Sequence, residues 1–485
     1  MLQSLLKKLS FMRTNYAQLF FTLILLISLL SCSNSGQNKT DDLLLIGIAE
    51  VDYTPSVGLD LAGNYRGDDY ASRGIHDPLY ARAIVTSDSK GEKAAILSVD
   101  IISLKKDAVD MMREYISSQI DIEPGNIMIH ATHTHSGPKS DLNGPEAKYF
   151  LTKAANAVID AHGKMKPTAI SSGRTEEQNA SYVRRVKFDD GTTHMTWEDP
   201  DPKRVVAELG EKDPEMITLS FVQDGKAVGG VVNFGCHATN LTGSNWLYSA
   251  DFPGYIATTL KKEKGEDFVP MFLNGCCGNI TQIDYNRGFI STHEECERHG
   301  NLLGQSALTA MNDESVVSTN NNVTVSKQMV PLKRMSISDE QLAWANEVMA
   351  KVEREGMPPI QQDGIPDASY AMRWIDMRNN QDVVDSLEVM VIGMGDLAFV
   401  GLPGEMFAEF GIMIKSASPF KNTIVMGLSN DSRAYFPTQE AFTEGPEGFT
   451  PMITGYETTP GTTLYEQGAG EILTASAIEQ LNNIF

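Results

Sequence analysis

Cysteine is scarce in this chain, five in 485 residues. No two stand at C-x-x-C spacing, and Cys276 and Cys277 are adjacent, which excludes a zinc ribbon or a dithiol redox motif. Basic side chains are also in deficit: 40 Lys and Arg face 63 Asp and Glu, for a net charge of −23. So acidic a body argues against nucleic-acid binding and against electrostatic docking on anionic membranes. An anionic substrate stays open, because a metal ion or an arginine pair can reverse the field inside one cleft. Beyond Leu30 there is no long apolar run, and no Pro/Ser-rich linker or internal repeat divides the chain. Solenoids and strings of tethered modules are therefore excluded.

The apolar run that does exist sits at the N-terminus. Lys7, Lys8 and Arg13 precede Leu19 to Leu30, a stretch too short for a firm membrane span, and Leu29-Leu30-Ser31-Cys32 closes it. The expectation is a lipoprotein signal peptide over residues 1–31, with Cys32 lipidated. A polar tether follows over 32–42, and one folded domain over 43–485. The protein would then be lipid-anchored in the cell envelope, at the outer membrane or cell surface. The remaining cysteines, Cys236, Cys276, Cys277 and Cys296, read as buried thiols.

Strand-like and helical patterns alternate along the body. Ala94 to Val99 and Val228 to Phe234 predict strands, and Lys106 to Ile120, Glu146 to His162 and Pro253 to Lys264 predict helices. Gly265 stops the last of these. Ser338-Asp339-Glu340-Gln341 opens a helix to about Glu355 with a capping box. Leu387 to Leu402 reads as a hairpin turning at Gly393 to Asp396, and Gly356 to Asp367 as a surface loop. The fold class expected is mixed α/β, a single compact domain of mixed β-sheets flanked by helices.

Three of the nine histidines, His130, His133 and His135, crowd one short segment. Asn126 to Ile129 reads as a buried strand that Ser136-Gly137-Pro138 ends. Strand alternation would point His133 and His135 to one face. Two imidazoles converging there suit a metal ion, or one ligand and one proton carrier. Hydrogen-bonded loop histidines would fit the same pattern. His237, at the end of Val228 to Gly235, and Glu405, after Leu402-Pro403-Gly404, are each by themselves better explained by structure than by ligation.

Ala131-Thr132-His133-Thr134-His135-Ser136-Gly137-Pro138 resembles the zinc-site segment of the neutral/alkaline non-lysosomal ceramidases. Other stretches resemble that family in the same order: Ile46 to Pro55, Gly74 to His76 with Ala81 to Ala83, Val232 to Thr239, and Gly401 to Glu405 with Phe407. The likeness runs from about residue 45 to 470. It implies a ceramidase-like catalytic domain with Zn2+ held by His133, His237, Glu405 and Tyr435, the last within Asn430 to Thr438. It also implies a reacting centre served by His135, Tyr456 and Arg184, with Arg185 beside Arg184 for substrate. Larger members carry a further C-terminal β-sandwich domain, which this reading does not expect here.

The nucleophile segment departs from the family. Its Gly-Asp-Val-Ser-Pro is here Gly278-Asn279-Ile280-Thr281-Gln282. Thr281 takes the serine's place as a candidate zinc-activated hydroxyl, and Asn279 the aspartate's as a substrate-binding candidate. Two enzymatic readings follow. The first is a zinc hydrolase cleaving an amide. The second is a metal-dependent lyase or dehydratase acting on acidic, uronic-acid-containing oligosaccharides in polysaccharide degradation, where the arginines would meet a sugar carboxylate. A non-catalytic lipid- or glycan-binding lipoprotein is the third. The partners implied are a small-molecule, lipid or oligosaccharide substrate and a membrane through the lipid anchor, with no nucleic acid.

Overall fold

Three β-sheets turn one face each toward a shared apolar interior. In the computed structural model, which describes residues 43–67, 69–358 and 365–485, the first sheet runs Ile127–Ala131, Lys93–Val99, Tyr80–Ser87, Leu45–Asp52 and Lys166–Pro167. The second runs Val269–Asn274, Lys226–Phe234, Glu215–Gln223, Ala169–Glu176 and Ser315–Val316. The third runs Thr324–Lys333, Val384–Met394, Leu397–Gly401 and Asn422–Met426. Ile46, Ile84, Ile96 and Met128 of the first sheet pack with Ile217, Leu219 and Met271 of the second. Ile392, Phe399 and Ile424 of the third join the same cluster. Each such side chain withdrawn from water contributes about 1.5–3 kcal/mol.

The other face of each sheet is covered by helices. Lys106–Gln119 and Pro145–Gly163 lie on the first, burying Met112, Ile116, Phe150 and Leu151 against Leu97 and Val99. Phe252–Lys264 and His293–Asn312 cover the second, and Ala408–Ala417 with Ala469–Ile484 cover the third. Strands buried on both faces carry near-continuous apolar runs, which is why Ala94–Val99 and Val228–Phe234 are readable. Close helix packing also explains Gly47, where a Cβ would stand 1.8 Å from the Ala161 carbonyl oxygen. Residues Leu44–Phe485 form one compact unit.

Most expected elements are present with shifted ends. The capping box at Ser338 is formed, Gly265 caps its helix at φ 105°, and the hairpin turns at Gly395. The expected loop from Gly356 gives way to the helix Asp367–Asn379 at its far end, which seats Trp374 against Trp344. Cys236, Cys276, Cys277 and Cys296 are buried free thiols. The signal peptide over 1–31, Cys32 and the tether over 32–42 lie outside the described residues. No described helix is long and apolar enough to cross a membrane.

Buried histidines tie stability to pH. His130 lies between the Gly427 carbonyl and the Asn274 amide, and burial pushes it down to about 3. His299 sits between Asn240 and the Ala180 carbonyl and is likewise pushed by burial to about 4. Both are neutral when folded, whereas the unfolded chain protonates them near 6.5. The unfolded state therefore binds more protons between pH 6.5 and about 4, and stability falls as pH drops through that window. Urea midpoints measured from pH 7.5 to 4 should decline from pH 6.5 downward. A flat profile would show that these rings are not buried neutral.

Candidate metal and active site

The chemistry-bearing residues leave the carboxyl ends of strands in three parallel pairs. Lys93–Val99 pairs parallel with Ile127–Ala131, Lys226–Phe234 with Val269–Asn274, and Leu397–Gly401 with Asn422–Met426. His133 follows the first pair, His237 and Thr281 the second, Glu405 and Tyr435 the third. Loops beyond the carboxyl ends of parallel strands are where open α/β sheets gather ligands.

His133 and His135 converge, though not by strand alternation. The strand ends at Ala131, and His133 takes a left-handed backbone, φ 74°. That turn, held by the His133 amide donating to Ile101 O, brings the two rings to 4.8 Å, nearly perpendicular. Glu405 and Tyr435 face each other as register partners in a two-residue parallel bridge, Glu405–Met406 with Tyr435–Phe436. Gly278 lets the neighbouring loop pass over this bridge, since a Cβ there would meet Glu405 O at 2.4 Å.

Four donor atoms point at one another. Glu405 Oε2 is 3.2 Å from His133 Nε2 and 2.9 Å from His237 Nε2, and the Tyr435 hydroxyl is 3.1 Å from His237 Nε2. His133 Nδ1 is 2.8 Å from Ile102 O, and His237 Nδ1 is 2.7 Å from Cys277 O and 2.9 Å from Ile280 O. A carbonyl only accepts, so each Nδ1 carries the proton and each Nε2 presents a lone pair. Lone pairs facing a carboxylate oxygen repel unless positive charge lies among them; Arg184 Nη1, 3.0 Å from His237 Nε2, meets one lone pair here, and a metal ion held by the same atoms would meet both. The donor set therefore fits a divalent metal. His133, His135 and His237 together also form a histidine group able to hold one, their ligand atoms within 4.8 Å. His135 differs from the other two: its Nδ1 is buried with no hydrogen-bond partner among the described residues, so none of their carbonyls fixes its tautomer. That freedom suits a proton carrier.

Electrostatics keep these groups in ligand form. Burial disfavours the Glu405 carboxylate, yet positive charge at His133 and His237, which a metal ion among them would supply, holds the group well below the ordinary range. Burial and then Arg184 push His237 down to about 3. Burial, with His133 and His237, takes His135 well below its usual value. Burial raises the Tyr435 phenol well above 10, against the pull of Arg184.

His135, His237 and Tyr435 of this group line a cavity of about 320 Å³, together with Arg184, Thr281 and Tyr456. Its walls are largely apolar, with Trp197, Ile283 and Phe289 among them. Arg184 is buried, with Nη1 3.0 Å from His237 Nε2 and Nε 2.5 Å from Glu457 Oε1. Burial works against its charge, but Tyr435 and Glu457 raise its pKa above the ordinary arginine value. Tyr456 stacks edge-on to Tyr435 at 5.5 Å and to Trp197 at 5.6 Å. Thr281 is buried in the wall, its hydroxyl donating to Gln282 Oε1 at 3.1 Å and accepting from the Ile283 amide at 3.3 Å.

Two expected substrate contacts lie elsewhere. Arg185 alternates to the opposite face from Arg184 and is buried under Glu444, Ala441 O and Thr454 O. Asn279 accepts from the Ala408 amide at 2.9 Å and donates to Glu409, fastening a helix start and not the cavity. Both have polar atoms engaged by protein partners, as inward-facing polar groups must. Trp197 and Glu457 were not legible as site residues: a lone tryptophan and a glutamate after a tyrosine carry no spacing signal, although Glu457 could have been sought as the counter-charge for two arginines.

The architecture is thus a mixed α/β domain with a metal-competent histidine site at its strand ends. The family model described as neutral/alkaline non-lysosomal ceramidase, N-terminal, matches residues 44–381, and the chain belongs to that family. The matched part contains His133, His135, Arg184, His237 and Thr281, while Glu405, Tyr435 and Tyr456 lie beyond it. The neutral ceramidase of Pseudomonas aeruginosa is 25% identical over 53% of this chain and 40% of its own length. That of Mycobacterium tuberculosis is 28% identical over 40% of this chain and 32% of its own. The chain thus spans well under two thirds of the curated relatives it matches. The crystal structure of the Pseudomonas aeruginosa neutral ceramidase superposes with a TM-score of 0.67 at 18% identity, over 91% of this chain and 74% of that one, a likeness of fold.

Proposed function

We propose that the chain is a zinc-dependent hydrolase that cleaves an amide bond, with the metal held by His133, His237, Glu405 and Tyr435. The observation that carries this reading is the convergence of two fixed Nε2 atoms, a carboxylate and a phenol beside a cavity that His237 and Tyr435 line. Bound there, zinc supplies Lewis-acid polarisation and a nucleophile at neutral pH. Arg184 and Tyr456 stand where N–H and O–H donors can meet the oxyanion that develops on an amide carbonyl. His135 carries the proton to the leaving nitrogen. Trp197, Ile283 and Phe289 would exclude water and accept hydrocarbon, which suits a ceramide-type lipid, as the names of the relatives suggest. A lipid on Cys32 would keep the enzyme at the envelope, near such substrates.

A second reading draws on the same cavity. Arg184 Nη2 is buried with no hydrogen-bond partner among the described residues, and the resemblance puts Thr281 where the family has a serine. Both favour an acidic sugar from which water is eliminated: a base takes the proton from carbon, and the hydroxyl departs with a second proton. Mass spectrometry of products from a ceramide panel and a panel of uronic-acid oligosaccharides separates the two. Amide hydrolysis adds one water across two products, whereas dehydration removes one water from a single intact product.

Thr281 bears on the same choice. Its hydroxyl is already engaged by its own loop, so Thr281→Val, which keeps the shape, should retain turnover within about tenfold of the parent, the scale of a lost neutral hydrogen bond. Steady-state kinetics on the better substrate test this. Complete loss of turnover would restore Thr281 as the attacking hydroxyl.

A further inference from the structure

Glu457 is fully buried and follows Tyr456, which stands in the cavity wall. Its carboxylate lies between two consecutive arginines. Oε1 is 2.5 Å from Arg184 Nε, and Oε2 is 3.5 Å from Arg185 Nε. The two arginines do not depend on it equally. Arg185 has a second carboxylate, Glu444 at 2.7 Å, and donates to the Ala441 and Thr454 carbonyls. For Arg184, Glu457 is the one carboxylate in an ion pair among the described residues. The rest of the Arg184 guanidinium faces His237 and the rings of Trp197 and Tyr435, whose centroids are 5.1 and 5.0 Å away.

We propose that Glu457 is a positioning residue for the cavity. A guanidinium is planar and rigid, so a partner fixed at Nε dictates where both Nη atoms point. Glu457 holds Nε, which sets Nη1 at 3.0 Å from His237 Nε2, beside the cavity that Arg184 and His237 both line. A buried guanidinium without a counter-charge is strongly unfavourable and would seek another arrangement. The same carboxylate also ties down Tyr456 through the backbone. The preceding Gly455, at φ 111°, lies so close to Arg185 that a Cβ would come within 2.8 Å of its Nε. Glu457 thus aims the Arg184 fork at an acceptor in the cavity whose wall Tyr456 shares. That acceptor is a carbonyl or carboxylate oxygen on an acyl-bearing ligand; only this choice of ligand rests on the amide-hydrolase reading.

The test uses laurate binding by isothermal titration calorimetry, which needs no turnover. Metal content and unfolding midpoint are measured on each protein. Glu457→Gln, which keeps the shape but removes the charge, should weaken laurate binding about tenfold or more, the scale of a lost charge-assisted alignment, with metal content unchanged. Glu444→Gln removes the partner of Arg185 alone and should lower the unfolding midpoint while leaving laurate affinity as it was. Should Glu457→Gln fail to fold, Glu457→Asp keeps the charge but withdraws it by one methylene, and should weaken binding about threefold. Unchanged affinity in the Glu457 variant, equal loss in both variants, or a parent that binds no laurate overturns the inference. A parent that binds laurate yet hydrolyses no amide counts against the proposed activity alone, and the affinity ratio then decides the role of Glu457.

Discussion

Glu405→Ala and His237→Ala should each strip the metal from the purified protein and lower turnover by well over a hundredfold, since even outer partners of metal ligands are worth about 10- to 100-fold. The reason is the donor count. Among the described residues Glu405 supplies the carboxylate that faces both Nε2 lone pairs, and without it two neutral imidazoles and a phenol of raised pKa remain. A phenol that keeps its proton is a weak ligand, so the site falls below the three good ligands a catalytic zinc requires. His135→Gln sets the contrast. Its Nε2 is 3.4 Å from His133 Nε2, and among the described residues no carbonyl fixes its tautomer, as expected of a proton carrier. That variant should keep its metal and lose about 10²-fold or more in turnover, the range for a general acid–base group. Elemental analysis beside kinetics decides the matter. Full metal occupancy in Glu405→Ala and His237→Ala would sink the site, and metal loss in His135→Gln would make that residue a ligand.

The second large effect belongs to Arg184 and depends on the substrate's charge. In a chain of net charge −23, an anionic group must be met by local positive charge. Beside a metal, Arg184 is the arginine that the cavity wall provides. If the substrate bears a carboxylate, Arg184→Gln should cost about 2–3 kcal/mol in kcat/KM, the size of a charge-assisted pair. On the methyl ester of the same substrate the loss should be much smaller. Comparing charged and esterified substrates within one variant cancels any effect on folding, including the buried Glu457 left with Arg185 at 3.5 Å. Arg185→Gln should lower the unfolding midpoint and leave the ratio between the two substrates as it was, because its guanidinium is spent on Glu444 and two carbonyls. Equal losses on ester and acid for Arg184→Gln would assign that residue to the fold or to a neutral carbonyl.

Local chemistry alone determined a good deal about this protein. Continuous apolar runs marked strands buried on both faces, Ser338 and Gly265 marked helix ends, and a cluster of three histidines beside a strand end marked the place to look. All of these are properties of neighbouring residues, so they can be read in one dimension. Where His133 and His135 meet was foreseen for the wrong reason: alternation would have paired them, but a left-handed residue after the strand does so instead. The selection among equals needed the third dimension. Arg184 and Arg185 are adjacent and alike, yet one enters the cavity and the other is locked under a loop some 260 residues away in sequence. Asn279 looked as available as Thr281 until the start of a distant helix claimed it. Glu405 and Tyr435 became partners only through a two-residue bridge, and Glu457 gained its place only from the pairing of two buried cations with one carboxylate. Sequence patterns report what each segment buries. Which polar group is left facing the cavity depends on long-range partners that claim the others, and that is settled only when the three sheets close around their common core.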